Sequence, residues 1–93
     1  MLLYVIAYDI PCNKRRKKIA DLLEGYGQRV QYSVFECQLT HAKFKELRKR
    51  LGKFVKLSED NLRFYPLSQH TSEQIEVWGV GIPIISSPSS VII

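Results

Sequence analysis

Leu3-Tyr4-Val5-Ile6-Ala7-Tyr8-Asp9-Ile10-Pro11, followed almost at once by Lys14-Arg15-Arg16-Lys17-Lys18, is the stretch on which the fold turns. Residues 2–9 are nearly all apolar or aromatic and β-favouring, and both faces read as buried, which predicts a strand that Pro11 ends. Asp9 rides at the end of that strand. Burying the strand takes the carboxylate with it, at least in part, and a buried carboxylate is costly unless it is paired or holds a cation. A carboxylate beside a run of five phosphate-seeking side chains points to metal-assisted chemistry, or at least binding, on a nucleic acid.

Outward from there, Asn13 is placed to cap a helix from Lys14 to Tyr26, with Ile19, Leu22, Leu23 and Tyr26 on one stripe and Gly25 and Gly27 as the stop. Residues 29–39 are β-like again. Val30, Tyr32 and Val34 alternate with Gln31 and Ser33, then the parity passes to Phe35, Cys37 and Leu39, which implies a bulge or sharp bend near Val34. No Gly, Pro or Asn marks a hairpin between 30 and 39, so the strand count there stays open. Thr40 caps a second helix to about Leu51, with Phe44, Leu47 and Leu51 inward and Gly52 closing it. Residues 61–67 predict a third strand, held to an edge or end by Pro66, and Ile75 to Val80 a short fourth one.

This order predicts an α+β fold, a ferredoxin-like βαββαβ sandwich over residues 1–81, with both helices on one face of the sheet. Covering the other face with a second copy makes a two-fold homodimer. Residues 82–93, which mix Pro and Ser with apolar ends, read as an extended arm that docks on a sheet edge or a partner chain.

The 93 residues make one domain with a net charge of +5. All 14 Lys and Arg fall between Lys14 and Arg63, and the last thirty residues carry only Glu73 and Glu76. Cations confined to one part of a compact fold favour an anionic partner, nucleic acid first. Cys12 and Cys37 have no metal-ligand spacing and read as free buried thiols in a reducing compartment. No stretch approaches membrane-spanning length and no charged leader precedes the first strand, so the expected location is the cytoplasm, with no membrane partner.

Mg²⁺ takes one or two protein carboxylates and keeps several waters, so a single Asp9 is thin, whereas a second Asp9 from a symmetric partner makes a pair that wants a cation between its charges. Cations at a helix start oppose the macrodipole, which argues that the run is there to bind, and the guanidinium fork makes Arg15 and Arg16 the phosphate contacts to expect. The second cluster, Lys43 to Lys56, lies opposite the stripe of the second helix as a solvated face would. Ser33 is placed to steady Asp9 or a metal-bound water. His41 and His70 read as surface residues.

The strings Tyr8-Asp9-Ile10, Asn13-Lys14-Arg15-Arg16-Lys17, Leu23-Glu24-Gly25-Tyr26-Gly27 and Arg29-Val30-Gln31-Tyr32-Ser33-Val34-Phe35-Glu36 together resemble the family of CRISPR-associated protein two, the small adaptation subunit also described as an endoribonuclease. The resemblance implies a ferredoxin-like homodimer and a magnesium-dependent endonuclease acting on the phosphodiester bonds of RNA and/or DNA. It also implies a partner, the integrase subunit CRISPR-associated protein one, with which new spacers are inserted. On it, Asp9 is the catalytic, metal-binding residue and Tyr8 its flanking aromatic. Arg16 matches an arginine at the helix start, Lys18 stands where some members have arginine, and Arg29, Ser33 and Phe35 match second-strand positions. The alternative is a non-catalytic dimeric scaffold that binds nucleic acid and bridges integrase subunits.

Overall fold

Alternation along β1 (Leu2–Asp9) sets the layering. The computed structural model describes residues 1–81. Tyr4, Ile6 and Tyr8 of β1 are buried in one core with Phe35, Cys37 and Leu39 of β3 (Val34–Leu39), Ile19, Ala20 and Leu23 of α1 (Asn13–Glu24), and Leu47 and Leu51 of α2 (His41–Leu51). Each fully buried large side chain here is worth roughly 1.5–3 kcal/mol relative to exposure. Tyr4 stacks on Phe44 with ring centroids 3.9 Å apart, and Phe44 meets Phe64 edge-on.

With β2 (Gln28–Gln31) and β4 (Asn61–Leu67) the sheet is antiparallel throughout, in the order β2-β3-β1-β4. This is the expected α+β, ferredoxin-like arrangement. Val5, Ala7 and Asp9 point to the face away from α1 and α2 by strand alternation. Their register neighbours on that face are Val34 and Glu36 on one side, and Asn61, Arg63 and Tyr65 on the other. A short helix α3 (Gln69–Ser72), capped by Ser68, packs against β1 and β4. No described helix is long and apolar enough to cross a membrane.

Several local expectations change. The parity shift near Val34 is a hairpin: β2 and β3 join through Tyr32 and Ser33, with Gln31 opposite Val34 and a register irregularity between Arg29 and Gln31. Among the described residues no non-glycine has positive φ, so this turn uses none of the residues that usually announce a hairpin. Cys12, not Asn13, is the N-cap of α1, and it caps without a side-chain hydrogen bond. The strand expected at Ile75 to Val80 is absent. Ile75 still donates to Ser72 in the turn that ends α3, Gly79 turns the chain at φ 82, and only Val77 makes an isolated bridge. Cys37 is buried, while Cys12 is partly exposed; both are free. The arm expected at 82–93 lies outside the described residues.

One glycine is fixed by packing. A Cβ on Gly27 would stand 2.3 Å from the Glu36 carbonyl oxygen and 2.4 Å from the Cys37 sulfur. Only Gly lets the end of α1 turn onto the hairpin this closely.

Candidate functional site at the end of the first strand

Asp9 is the last residue of β1, opposite Asn61 of β4, and it is exposed. The expectation that strand burial would carry the carboxylate inward fails because the strand ends there. Ile10, one residue on, turns back into the core.

Two consecutive arginines brace this end of the strand from different directions. Arg15 spends its fork on Asp60, with Nε to Oδ2 and Nη2 to Oδ1 both at 2.9 Å, and donates to Glu59 at 3.0 Å. Its hydrogen bonds hold both carboxyls below their ordinary values, and the Asp60 side chain is fully enclosed. Asp60 precedes Asn61, so this cluster fixes the loop that delivers the neighbour of Asp9. Arg15, expected to grip phosphate, is therefore occupied by carboxylates. Arg16 donates through Nη1 to the Ile10 carbonyl at 2.8 Å and through Nη2 to the Asn13 side chain. It ties the helix start to the residue directly after Asp9.

The hairpin braces the third side. The Tyr8 N–H donates to the Ser33 carbonyl at 3.1 Å, and the Tyr8 hydroxyl approaches the Tyr32 carbonyl at 3.5 Å. Ser33 thus serves β1 through its main chain; no bond from its hydroxyl to Asp9 forms. Phe35 is fully buried, 6.3 Å from the Tyr8 ring centroid, with the Arg29 guanidinium 5.3 Å from its own.

On the helix side of this end lies an open cleft of about 370 Å³ whose walls include Tyr8, Asn13, Arg16, Lys17, Arg29 and Tyr32. Burial pushes the Tyr8 phenol above its ordinary value, and nearby Arg29 partly offsets that. Asp21 and Glu24 also line the cleft and pair with Lys17 at 2.9 Å and Arg29 at 3.9 Å, leaving Arg16 as the surplus charge. Lys18 stands apart, over the Phe54 ring at 5.8 Å. The structure therefore gathers Tyr8, Arg16 and Arg29 around one cleft, leaves Asp9 outside it on the opposite sheet face, and sends Phe35 to the core.

The chain belongs to the CRISPR-associated protein Cas2 family. The model of that family, described as CRISPR associated protein Cas2, matches residues 1–75. A relative from Synechocystis sp. (strain ATCC 27184 / PCC 6803 / Kazusa), CRISPR-associated endoribonuclease Cas2 3, is 64% identical over 93 residues, covering 100% of each chain. The crystal structure of protein TT1823 from Thermus thermophilus superposes with a TM-score of 0.79 at 48% identity, covering 88% of this chain and 95% of that one. A chain in a partial Cas6-RT-Cas1–Cas2 complex does so with a TM-score of 0.70 at 38% identity, covering 81% and 88%. The resemblance read from β1 and the hairpin strands is borne out, as is the fold.

Sequence reasoning missed Asp60 and Glu59, 45 and 44 residues from the arginine that they hold, and it missed Asn61 and Arg63, which flank Asp9 in the sheet. An Asp-Asn pair opening a strand was the available signal.

Proposed function

We propose that the protein is a metal-dependent endonuclease of CRISPR spacer acquisition that works as a homodimer on RNA and/or DNA backbones, alongside an integrase subunit of the Cas1 type. One observation carries the reading. Asp9 is an exposed carboxylate at a strand end on the sheet face opposite α1 and α2, braced on three sides by groups that leave its own oxygens unclaimed among the described residues. A two-fold axis passing near the end of β1 would bring in a second Asp9 from the partner. The names of the relatives, an endoribonuclease and a chain in a Cas1–Cas2 complex, support the activity and the partner.

Within one chain the donor set is small: no group of three or more His, Cys, Asp or Glu gathers among the described residues. A pair of Asp9 carboxylates, with water filling the remaining positions, suits Mg²⁺, which takes few carboxylates and keeps water, and does not suit a thiolate- or imidazole-seeking metal. The chemistry such an ion would supply, if held by the paired Asp9 carboxylates, is activation of a water nucleophile and neutralisation of charge on the scissile phosphate. The residues of the chain do the rest. Arg16 and Arg29, facing the cleft, orient the strand by its phosphates, and Lys18 extends the track along α1. Arg15 keeps the rim rigid through Asp60.

The test is Mg²⁺-dependent cleavage of short single-stranded RNA and of duplex DNA by dimer freed of contaminating nuclease. Asp9→Asn lowers the rate by about a hundredfold or more, with mass and nucleic-acid affinity unchanged. Undiminished cleavage by Asp9→Asn removes the metal pair from the account. The small donor set also favours a second reading, a scaffold that bridges integrase subunits without turnover. Spacer insertion that survives Asp9→Asn while cleavage is lost selects the scaffold as the cellular role.

A further inference from the structure

Tyr32 lines the cleft beside Arg16 and Arg29, yet its side chain holds nothing there. It sits at the turn of the β2–β3 hairpin, 73% exposed, although tight turns favour small and polar residues. Its ring stacks on no other ring and its hydroxyl makes no hydrogen bond among the described residues. Singly exposed aromatics are ordinary, but this one opens onto a cavity of about 370 Å³, within the range of small-ligand sites. Burial raises the Tyr8 phenol, Arg29 lowers it and the Tyr32 phenol raises it again, so the two phenols lie close together.

The rest of the lining carries both signs. Arg16, Lys17 and Arg29 share it with Asp21 and Glu24, three cations to two carboxylates. Lys17 closes on Asp21 at 2.9 Å, whereas the Arg29–Glu24 pair is open at 3.9 Å. Arg16 has no carboxylate partner among the described residues, and its bonds to the Ile10 carbonyl and the Asn13 side chain use only part of its N–H fork. A phosphate backbone alone asks only for cations. One surplus cation, acceptors beside donors and an exposed ring match a whole nucleotide instead. It brings one phosphate, a base edge with donors and acceptors, and a base face that stacks.

We propose that this cleft seats one unpaired nucleotide of the substrate strand, its base stacked on Tyr32 and its phosphate on Arg16. The proposal deepens the nuclease reading and rests on it for the ligand, a nucleic-acid strand. A base inside a duplex has both faces taken by its neighbours, so the seat accepts a base only from a single strand or an unstacked site. Tyr8, which walls the cleft, is the residue before Asp9, so a strand held here lies at the end of β1 that carries the carboxylate.

The experiment measures binding to the full-length protein without divalent metal, by fluorescence anisotropy and by the emission of a single 2-aminopurine placed at each position in turn. The probes are a short single-stranded RNA, the DNA of the same sequence, and that DNA as a duplex. Tyr32→Ala weakens single-strand binding about tenfold, the scale of one base–aromatic stack, and abolishes the quenching that binding produces at one position. Tyr32→Phe keeps both, and duplex binding is the same in all three proteins. The effect in RNA, in DNA or in both upholds the seat and names the strand it takes. Undiminished single-strand binding, or quenching that persists, in Tyr32→Ala overturns it. So does an equal loss in Tyr32→Phe, which assigns the effect to the hydroxyl, or an equal loss on the duplex, which assigns it to backbone contact. Failure of the wild-type protein to bind any single strand also overturns it. Tyr32-dependent binding by a protein that cuts nothing with Mg²⁺ overturns the nuclease reading and leaves the seat, whereas cleavage by a protein whose binding ignores Tyr32 overturns the seat alone.

Discussion

The two faces of the sheet are built from the same strands and do opposite work. On the helix side, Tyr4, Ile6, Tyr8, Phe35, Cys37 and Leu39 are buried against α1 and α2. On the other side Leu3 is buried, Val5, Ala7 and Glu36 are only partly covered, and Asp9, Arg63 and Tyr65 are exposed. Side chains two positions apart on β1 share a face, so alternation lets an eight-residue strand hold the fold together and carry the candidate chemistry without conflict. Changes on the first face should therefore cost stability, and changes on the second should cost association or activity.

The largest expected effect breaks that division if it fails. Phe35 is fully buried, and family resemblance alone made it a candidate site residue. Phe35→Ala should lower unfolding stability by about 3–5 kcal/mol in chemical denaturation. A variant as stable as wild type but without nuclease activity would move Phe35 to the functional side. Next is Val5→Asp, at the centre of the open face between Glu36 and Tyr65. It places a charge in the proposed dimer contact beside an existing carboxylate. Light scattering should find a monomer at concentrations where wild type is a dimer, with a thermal midpoint above room temperature. An unchanged dimer would mean that the copies meet elsewhere.

Much of this division was legible in the chain. The apolar run of β1, the stripes Ile19-Leu23 and Leu47-Leu51, and the Thr40 cap are local patterns, and each forms where its pattern lies. The Thr40 hydroxyl accepts from the Lys43 N–H at 3.2 Å, as the spacing predicts. The hairpin was visible only as a parity shift, because Tyr32 and Ser33 carry no turn signature. What stayed hidden was long-range or negative. Arg15 and Arg16 are indistinguishable by type and setting, and only the fold, by bringing Asp60 up beside α1, gives one to a carboxylate cluster and the other to the Ile10 carbonyl. The strand expected at Ile75 to Val80 failed because the turn ending α3 captures its first residue. Asp9 lies at the strand end where the apolar run places it, but its exposure depends on how abruptly β1 ends, which β-propensity does not encode.

A smaller effect distinguishes brace from contact. The Asp60 carboxyl titrates below its ordinary 3.8 because Arg15 holds its anion. The stability this contributes is complete above about pH 4 and is lost as pH falls through the depressed value. Asp60→Asn should therefore lower the thermal midpoint at neutral pH and flatten its decline in acid. It should also reduce nuclease activity, by freeing the Asn61 side of the rim, without weakening nucleic-acid binding. Weaker binding instead would show Arg15 to be a phosphate contact that Asp60 keeps in position.

The smallest effect reads the cover on the open face directly. Burial alone raises the Glu36 carboxyl above its ordinary 4.5. A carboxyl with a raised folded value binds more protons folded than unfolded, so its contribution is intact below 4.5 and stability falls as pH rises through the raised value, the reverse of Asp60. Glu36→Gln should remove that downward slope and leave the rest of the pH profile in place. Because the cause is desolvation, a second copy on this face must raise the value further. Carboxyl NMR titration should therefore find Glu36 higher in the wild-type dimer than in Val5→Asp at monomeric dilution. The aspartate of that variant itself repels the Glu36 anion and works against the difference, so Val5→Asn serves as the uncharged check. Equal values in dimer and monomer would mean that the face bearing Asp9 stays wet in the assembly, and a metal shared between two Asp9 carboxylates across it would lose its geometry.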